Sequence, residues 1–162
     1  MAEYDIVFAE KLADTATLVA KEGLETLDAK RTVLYLSLLS SEISLKALLE
    51  KAGMPVSEIR NRSHNLKALL KDIGQCEVQI EIASGTSRWC SAIRLRAVLV
   101  DPNYANGTVG ALLEAEVAGA SKYPNQIRYG DLLEHYPAEL VEKMASAIAA
   151  WAKENWDSIR VL

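Results

Sequence analysis

The sequence predicts a mainly α-helical bundle with a small β-hairpin insertion around residues 77–100, and three observations carry that expectation. First, Arg31–Lys51 places apolar side chains almost all the way round a helix. Leu34, Leu38, Leu45 and Leu48 share one sector, and Val33, Tyr35, Leu36, Leu39, Ile43 and Ala47 cover most of the rest. A surface helix shows a single apolar stripe, so this stretch reads as the central helix of a packed bundle. Second, apolar residues recur at helical spacing on both flanks of the chain. Third, Glu77-Val78-Gln79-Ile80-Glu81-Ile82 alternates strictly, which is a strand signal.

Taken in order, residues 3–25 carry Ala9, Leu12, Ala13, Ala16, Val19, Ala20 and Gly23 on one small-residue face. Thr26 or Asp28 can cap the central helix, and Gly53 followed by Pro55 stops it. Ser37, Ser40, Ser41 and Ser44 form a narrow seam where another helix can approach closely, and Glu42, Lys46 and Glu50 form an i,i+4 chain suited to an exposed face. Arg60–Ser63 reads as loop, with Ser63 the N-cap of a short helix that buries Leu66, Leu69, Leu70 and Ile73 and ends at Gly74. Ala83-Ser84-Gly85-Thr86 supplies the hairpin turn; a helical second arm is the alternative, since Ile93, Ala97 and Val100 also have helix spacing. Residues 101–107 form a turn cluster. Thr108 then caps a helix with Val109, Leu112, Leu113, Val117 and Ala120 inward, broken at residues 121–126. Pro137 fits the first turn of the last helix, whose stripe is Val141, Ala145, Ile148, Ala152 and Ile159, with Trp151 and Trp156 packed beside it.

Bulk properties narrow the function classes. At 162 residues and 50% hydrophobic content the chain can bury a real core, and it shows no internal repeat or domain boundary, so one domain over 1–162 is expected. Cys76 and Cys90 are spaced C-x13-C, and with two histidines they do not complete a zinc set. Reduced thiols, no metal and no cofactor are therefore expected. The acidic, mixed N-terminus does not read as a signal peptide, and no uninterrupted apolar run reaches membrane-span length, so a cytoplasmic, non-membrane protein is expected. The net charge of −4 argues against a broad nucleic-acid-coating surface. Residues 58–96 nevertheless hold seven Lys/Arg against four acids, a local +3 that leaves −7 elsewhere.

No P-loop, G-x-G-x-x-G, G-x-S-x-G or H-E-x-x-H occurs. What remains is residues 122–135, which set Tyr123, Asn125, Arg128, Tyr129, Asp131, Glu134 and His135 between two helices. Arg128 and His135 form Arg-x6-His. A guanidinium that holds phosphate charge, beside an imidazole that moves protons, is a minimal kit for cutting RNA without metal, because the RNA supplies its own 2′-hydroxyl as nucleophile.

Two phrases carry a family resemblance: Ser41-Glu42-Ile43-Ser44-Leu45-Lys46-Ala47-Leu48-Leu49 and, after a loop, His64-Asn65-Leu66-Lys67-Ala68-Leu69-Leu70. With the Tyr-Pro loop before the last helix, they resemble a HEPN domain over nearly the whole chain. The resemblance implies a HEPN-like four- to five-helix bundle, frequently a homodimer. It implies one of two functions. The first is a metal-independent endoribonuclease of prokaryotic toxin–antitoxin or defence systems, in which Arg128 and His135 would be catalytic. The second is a noncatalytic nucleotide-binding or dimerising scaffold module beside a partner such as a nucleotidyltransferase. Tyr123, Asn125 and Tyr129 would shape the RNA or nucleotide pocket, with Arg60, Arg62 and His64 on a basic rim. In the scaffold reading Arg128, Asp131 and Tyr129 form a structural knot. His64, at the start of a short helix, reads on its own as a capping or packing residue against the central helix rather than a catalytic one.

Overall fold

Thr26 fixes the start of the central helix: its backbone is extended and its hydroxyl accepts from the Ala29 N–H at 3.1 Å. In this computed structural model, which describes residues 1–103, 107–115, 123–129 and 137–162, the helix that follows, α2, runs Leu27–Ala52. It ends where Gly53 takes a left-handed φ of 103° and returns its N–H to the last turn. Before it lies α1 (Ile6–Glu22), capped by the Asp5 carboxylate on the N–H groups of Val7 and Phe8.

The protein is mainly helical with one small antiparallel sheet. After α2 come α3 (Val56–Asn61) and α4 (Leu66–Ile73), then β1 (Cys76–Ala83) and β2 (Thr86–Ser91) as a hairpin around Gly85, whose φ is +76°. A 3-10 helix (Ala92–Ala97), α5 (Val109–Glu114), α6 (Tyr123–Tyr129), α7 (Ala138–Glu154) and β3 (Ile159–Val161) complete the described chain. The sheet order is β2-β1-β3, with Val78 facing both Cys90 and Ile159.

α2 packs against α1 and α7 on one side and meets α4 and α6 on another. Leu34, Leu38, Leu45, Leu48 and Leu49 have no exposed surface, and they join Leu66, Leu69, Ile73, Val141, Met144 and Ile148 in one apolar core. Each such side chain contributes about 1.5–3 kcal/mol through burial. The serine seam lets α1 approach closely: Ser40 Oγ donates to the Ala9 carbonyl at 2.6 Å, opposite the small face of Ala9, Ala13 and Ala16. α2 is also long and apolar enough to cross a membrane by length and composition, contrary to the expectation from apolar runs. Within the fold, 72% of its most apolar 18-residue window is buried.

Five local expectations need correction. Within Arg60–Ser63, expected as loop, Arg60 and Asn61 are helical: they end α3, which begins after Pro55 opens a turn that accepts from the N–H groups of Glu58 and Ile59. The cap of α4 is Asn65, not Ser63; the Asn65 side chain accepts from Ala68 N–H at 3.0 Å, while Ser63 turns the chain with φ +49°. The second half of the 77–100 segment is strand only as far as Ser91 and then winds into the 3-10 helix. Residues 123–129 form a helix, since Pro124 stands in a first turn, where its missing N–H costs nothing. The last helix stops at Glu154, so Ile159 reaches the core from a strand. Val117 and Ala120, expected on the helix after Thr108, lie outside the described residues.

Candidate functional site

Glu42 and Lys46 lie one turn apart on a helix with almost no solvent face, and both are buried, at 4% and 8% exposure. The exposed i,i+4 chain expected there is therefore a buried ion pair, with Lys46 Nζ 2.8 Å from the Glu42 carboxylate. A buried carboxylate is tolerable only when its oxygens are filled. Two further donors fill them. The Tyr123 hydroxyl donates to Oε2, and His64 Nδ1 stands 2.9 Å from the same oxygen and 3.2 Å from Oε1. Burial first, and then the charge and hydrogen bond of Glu42, push the Tyr123 phenol far above its ordinary value, so it stays protonated as a donor. The Tyr4 ring closes over Lys46, 5.5 Å from Nζ.

The turn between α3 and α4 places His64. Ser63 N–H bonds to the Arg60 carbonyl at 2.9 Å and Asn65 N–H to that of Arg62 at 3.0 Å. Between the left-handed Ser63 and the capping Asn65, the imidazole is directed onto α2, edge-on to the Tyr123 ring at 6.0 Å. Its side chain stays 54% exposed. Arg62 is held by Asp72, Nε to Oδ2 at 2.5 Å, and that hydrogen bond raises its already high pKa.

α6 supplies the opposite wall. Tyr123 and Ile127 point into the core; Asn125 and Arg128 point out. Arg31 donates to the Ile127 carbonyl at 2.8 and 3.1 Å and to the Arg128 carbonyl at 3.0 Å, a cation on the last described turn of the helix. Arg128 Nη2 donates to the Tyr35 hydroxyl at 3.0 Å, and the guanidinium lies 5.8 Å from that ring's centre. Among the described residues no carboxylate pairs with Arg128.

Between these walls lies a cleft of about 390 Å³, lined by Arg62, His64 and Asn65 on one side and Asn125, Gln126 and Arg128 on the other. Two guanidinium groups, an imidazole and three amides thus surround one space. That donor-rich set matches a phosphate or another polar anion. A shallow groove of about 400 Å³ over the hairpin offers Gln79, Glu81, Thr86 and Ser158 but no cation.

The sequence-derived candidates separate on this geometry. Arg62, His64, Asn125 and Arg128 come together in the cleft. Tyr123 lies beneath it, buried against Glu42, where it supports the wall and touches no ligand space. Tyr129 is 77% exposed and outside the lining. Arg60 turns away to Glu3, donating from Nε at 2.9 Å and Nη2 at 2.5 Å. His135, with Asp131 and Glu134, lies outside the described residues. Glu42, Lys46, Asn65, Gln126, Tyr35 and Arg31 were not anticipated as parts of the site. The signal for Glu42 and Lys46 was available: a helix apolar on every side has no exposed face for charges, so any charges on it must be paired inside.

Among the described residues no group of three or more His, Cys, Asp or Glu is placed to hold a metal ion. No protein-family model, curated protein or solved structure matches this chain.

Proposed function

We propose that the chain is a HEPN-like bundle that binds the phosphate of RNA or a nucleotide in the cleft between the α3–α4 turn and α6. The observation that supports this reading is the convergence of Arg62 and Arg128 from distant parts of the sequence onto one polar cleft that also holds His64. In a chain of net charge −4, the Arg128 guanidinium, which no described carboxylate balances, gives this space a local positive charge, whereas Asp72 balances that of Arg62. Arg128 is the stronger anchor. Its described hydrogen-bond partner is the neutral Tyr35 hydroxyl, whereas Arg62 is already bonded to Asp72.

The expectation of a metal-independent endoribonuclease belongs to this proposal. A noncatalytic nucleotide-binding module is the second reading, favoured by the completeness of the Glu42 cluster, which is satisfied without any ligand.

The test is fluorescence anisotropy with a labelled single-stranded RNA. Arg128→Ala should weaken binding about tenfold, the effect of losing one charge-assisted contact. It should also lower the slope of log affinity against log salt by about 0.7. Lys11→Ala, on the exposed face of α1, should change neither quantity. Equal affinity and slope for wild type and Arg128→Ala would refute the assignment.

A further inference from the structure

We propose that His64, oriented through Nδ1 by the buried Glu42 carboxylate, is the proton-transfer residue of the cleft and acts through Nε2 on a ribose 2′-hydroxyl beside a phosphodiester held by Arg128. This rests on the phosphate-binding reading and adds chemistry to it.

Glu42 is an acceptor, because the Lys46 ammonium and the Tyr123 hydroxyl already donate to it. The ring nitrogen facing it must therefore carry the hydrogen, which leaves Nε2 unprotonated in the neutral ring. A carboxylate that fixes the tautomer and aim of an imidazole is the arrangement by which histidine becomes an effective base, and it stabilises the imidazolium once formed. Two features set His64 apart from a packing residue. Lys46 already balances the charge of Glu42, so the His64 ring bonds the carboxylate without being its counter-charge. The ring is also more than half exposed, on the cleft side, and is delivered by a non-glycine residue in the left-handed region, Ser63 at φ +49°. Unfavourable backbone next to a functional group is a pattern of sites rather than of cores.

In the step assigned, Nε2 takes the 2′-hydroxyl proton as O2′ bonds to phosphorus. The P–O5′ bond breaks, and its electron pair leaves with O5′. Water protonates that oxygen, and the imidazolium returns its proton to solvent. The products are a 2′,3′-cyclic phosphate and a 5′-hydroxyl, with no net change in oxidation state. Arg128 meets the charge on the non-bridging oxygens. Glu42 is a positioning residue.

The experiment uses the full chain in EDTA with a labelled DNA oligonucleotide carrying a single ribonucleotide, and follows cleavage and anisotropy in the same samples. Wild type should cut only at the ribonucleotide and leave a cyclic phosphate. His64→Ala should cut at least a hundredfold more slowly, bind within about threefold of wild type, and regain activity with added imidazole; Arg128→Ala should not be rescued. Glu42→Gln combined with Lys46→Met, which keeps the cluster neutral, should lower kcat about tenfold with KM unchanged. Binding without cutting by wild type would overturn the proton-transfer assignment and leave the binding site standing; absence of binding would overturn both. Cutting unchanged in His64→Ala but lost in His135→Ala would move the chemistry to His135 and also overturn the assignment.

Discussion

Tyr123 donates one hydrogen bond to a carboxylate that is almost wholly buried. Tyr123→Phe should therefore lower unfolding free energy by about 1.5–3 kcal/mol, the range for hydrogen bonds to charged groups. Lys46→Met removes the neutralising charge itself and should cost more, about 3–5 kcal/mol. Urea unfolding midpoints at unchanged slope measure both. A smaller loss for Lys46→Met than for Tyr123→Phe would mean Glu42 is not ionised in the fold. At the same scale, the serine seam separates into two kinds of residue. Ser37 and Ser44 have buried hydroxyls with no partner among the described residues, whereas Ser40 satisfies the Ala9 carbonyl. Ser44→Ala should be neutral or stabilising by about 0.5–1 kcal/mol, since it removes an unsatisfied group and raises helix propensity. Ser40→Ala should destabilise by about 1 kcal/mol. Equal losses in the two variants, or a loss for Ser44→Ala with none for Ser40→Ala, would contradict this division. The four serines were legible as a packing seam in the sequence. Which of them are bonded was not, because that depends on where the α1 carbonyls fall.

Elements were read best where a local chemical stop or start stands alone. Gly53 stops α2 in the sequence and in the fold, and the 77–82 alternation is strand; of the two caps the sequence offers for α2, Thr26 or Asp28, the fold uses Thr26. Reading failed where two residues competed for one role. Ser63 and Asn65 can both cap a helix, and the choice of Asn65 is what frees His64 to turn onto Glu42. Pro124 can break a helix or begin one, and its place in the first turn of α6 puts Arg128 one turn further on, beside the cleft. Ile159 has helical spacing from Ala152, yet the chain leaves the helix at Asn155 and reaches the core from β3. A test at this scale is Gly53→Ala. No atom lies within 4 Å of the added Cβ, so the whole cost comes from the φ of 103°, and it should be about 1 kcal/mol in thermal or urea unfolding. No cost would mean the chain leaves α2 by another route.

At the scale of the whole molecule, sequence-distant segments are tied by single ion pairs at the edges of one apolar core. Lys143 of α7 holds Asp101 at 2.7 Å. That hydrogen bond, with the Asn103 N–H, lowers the Asp101 carboxyl below its usual 3.8. The unfolded chain therefore takes up this proton at higher pH than the folded one does. The contribution to stability is complete above 3.8 and is lost as pH falls through that value to the lower folded one. Lys143→Met should lower the melting temperature near neutral pH, and the difference from wild type should vanish in strong acid. A difference that persists there would place the effect in packing. Assembly at this scale also brings together candidates that the sequence names separately without showing that they share one cleft. Arg62 and Arg128 are far apart in the chain, and they meet only because α4 and α6 both pack on α2 around Glu42.

The central claim, that the cleft between the α3–α4 turn and α6 is where RNA phosphate binds, is tested most directly by photo-crosslinking. A single-stranded RNA carrying 4-thiouridine would be irradiated with the protein, and the modified peptides mapped by mass spectrometry. Crosslinks should concentrate on residues 62–65 and 123–129 and disappear in Arg128→Ala. Crosslinks confined to the hairpin at 76–91, or unchanged in Arg128→Ala, would contradict the account.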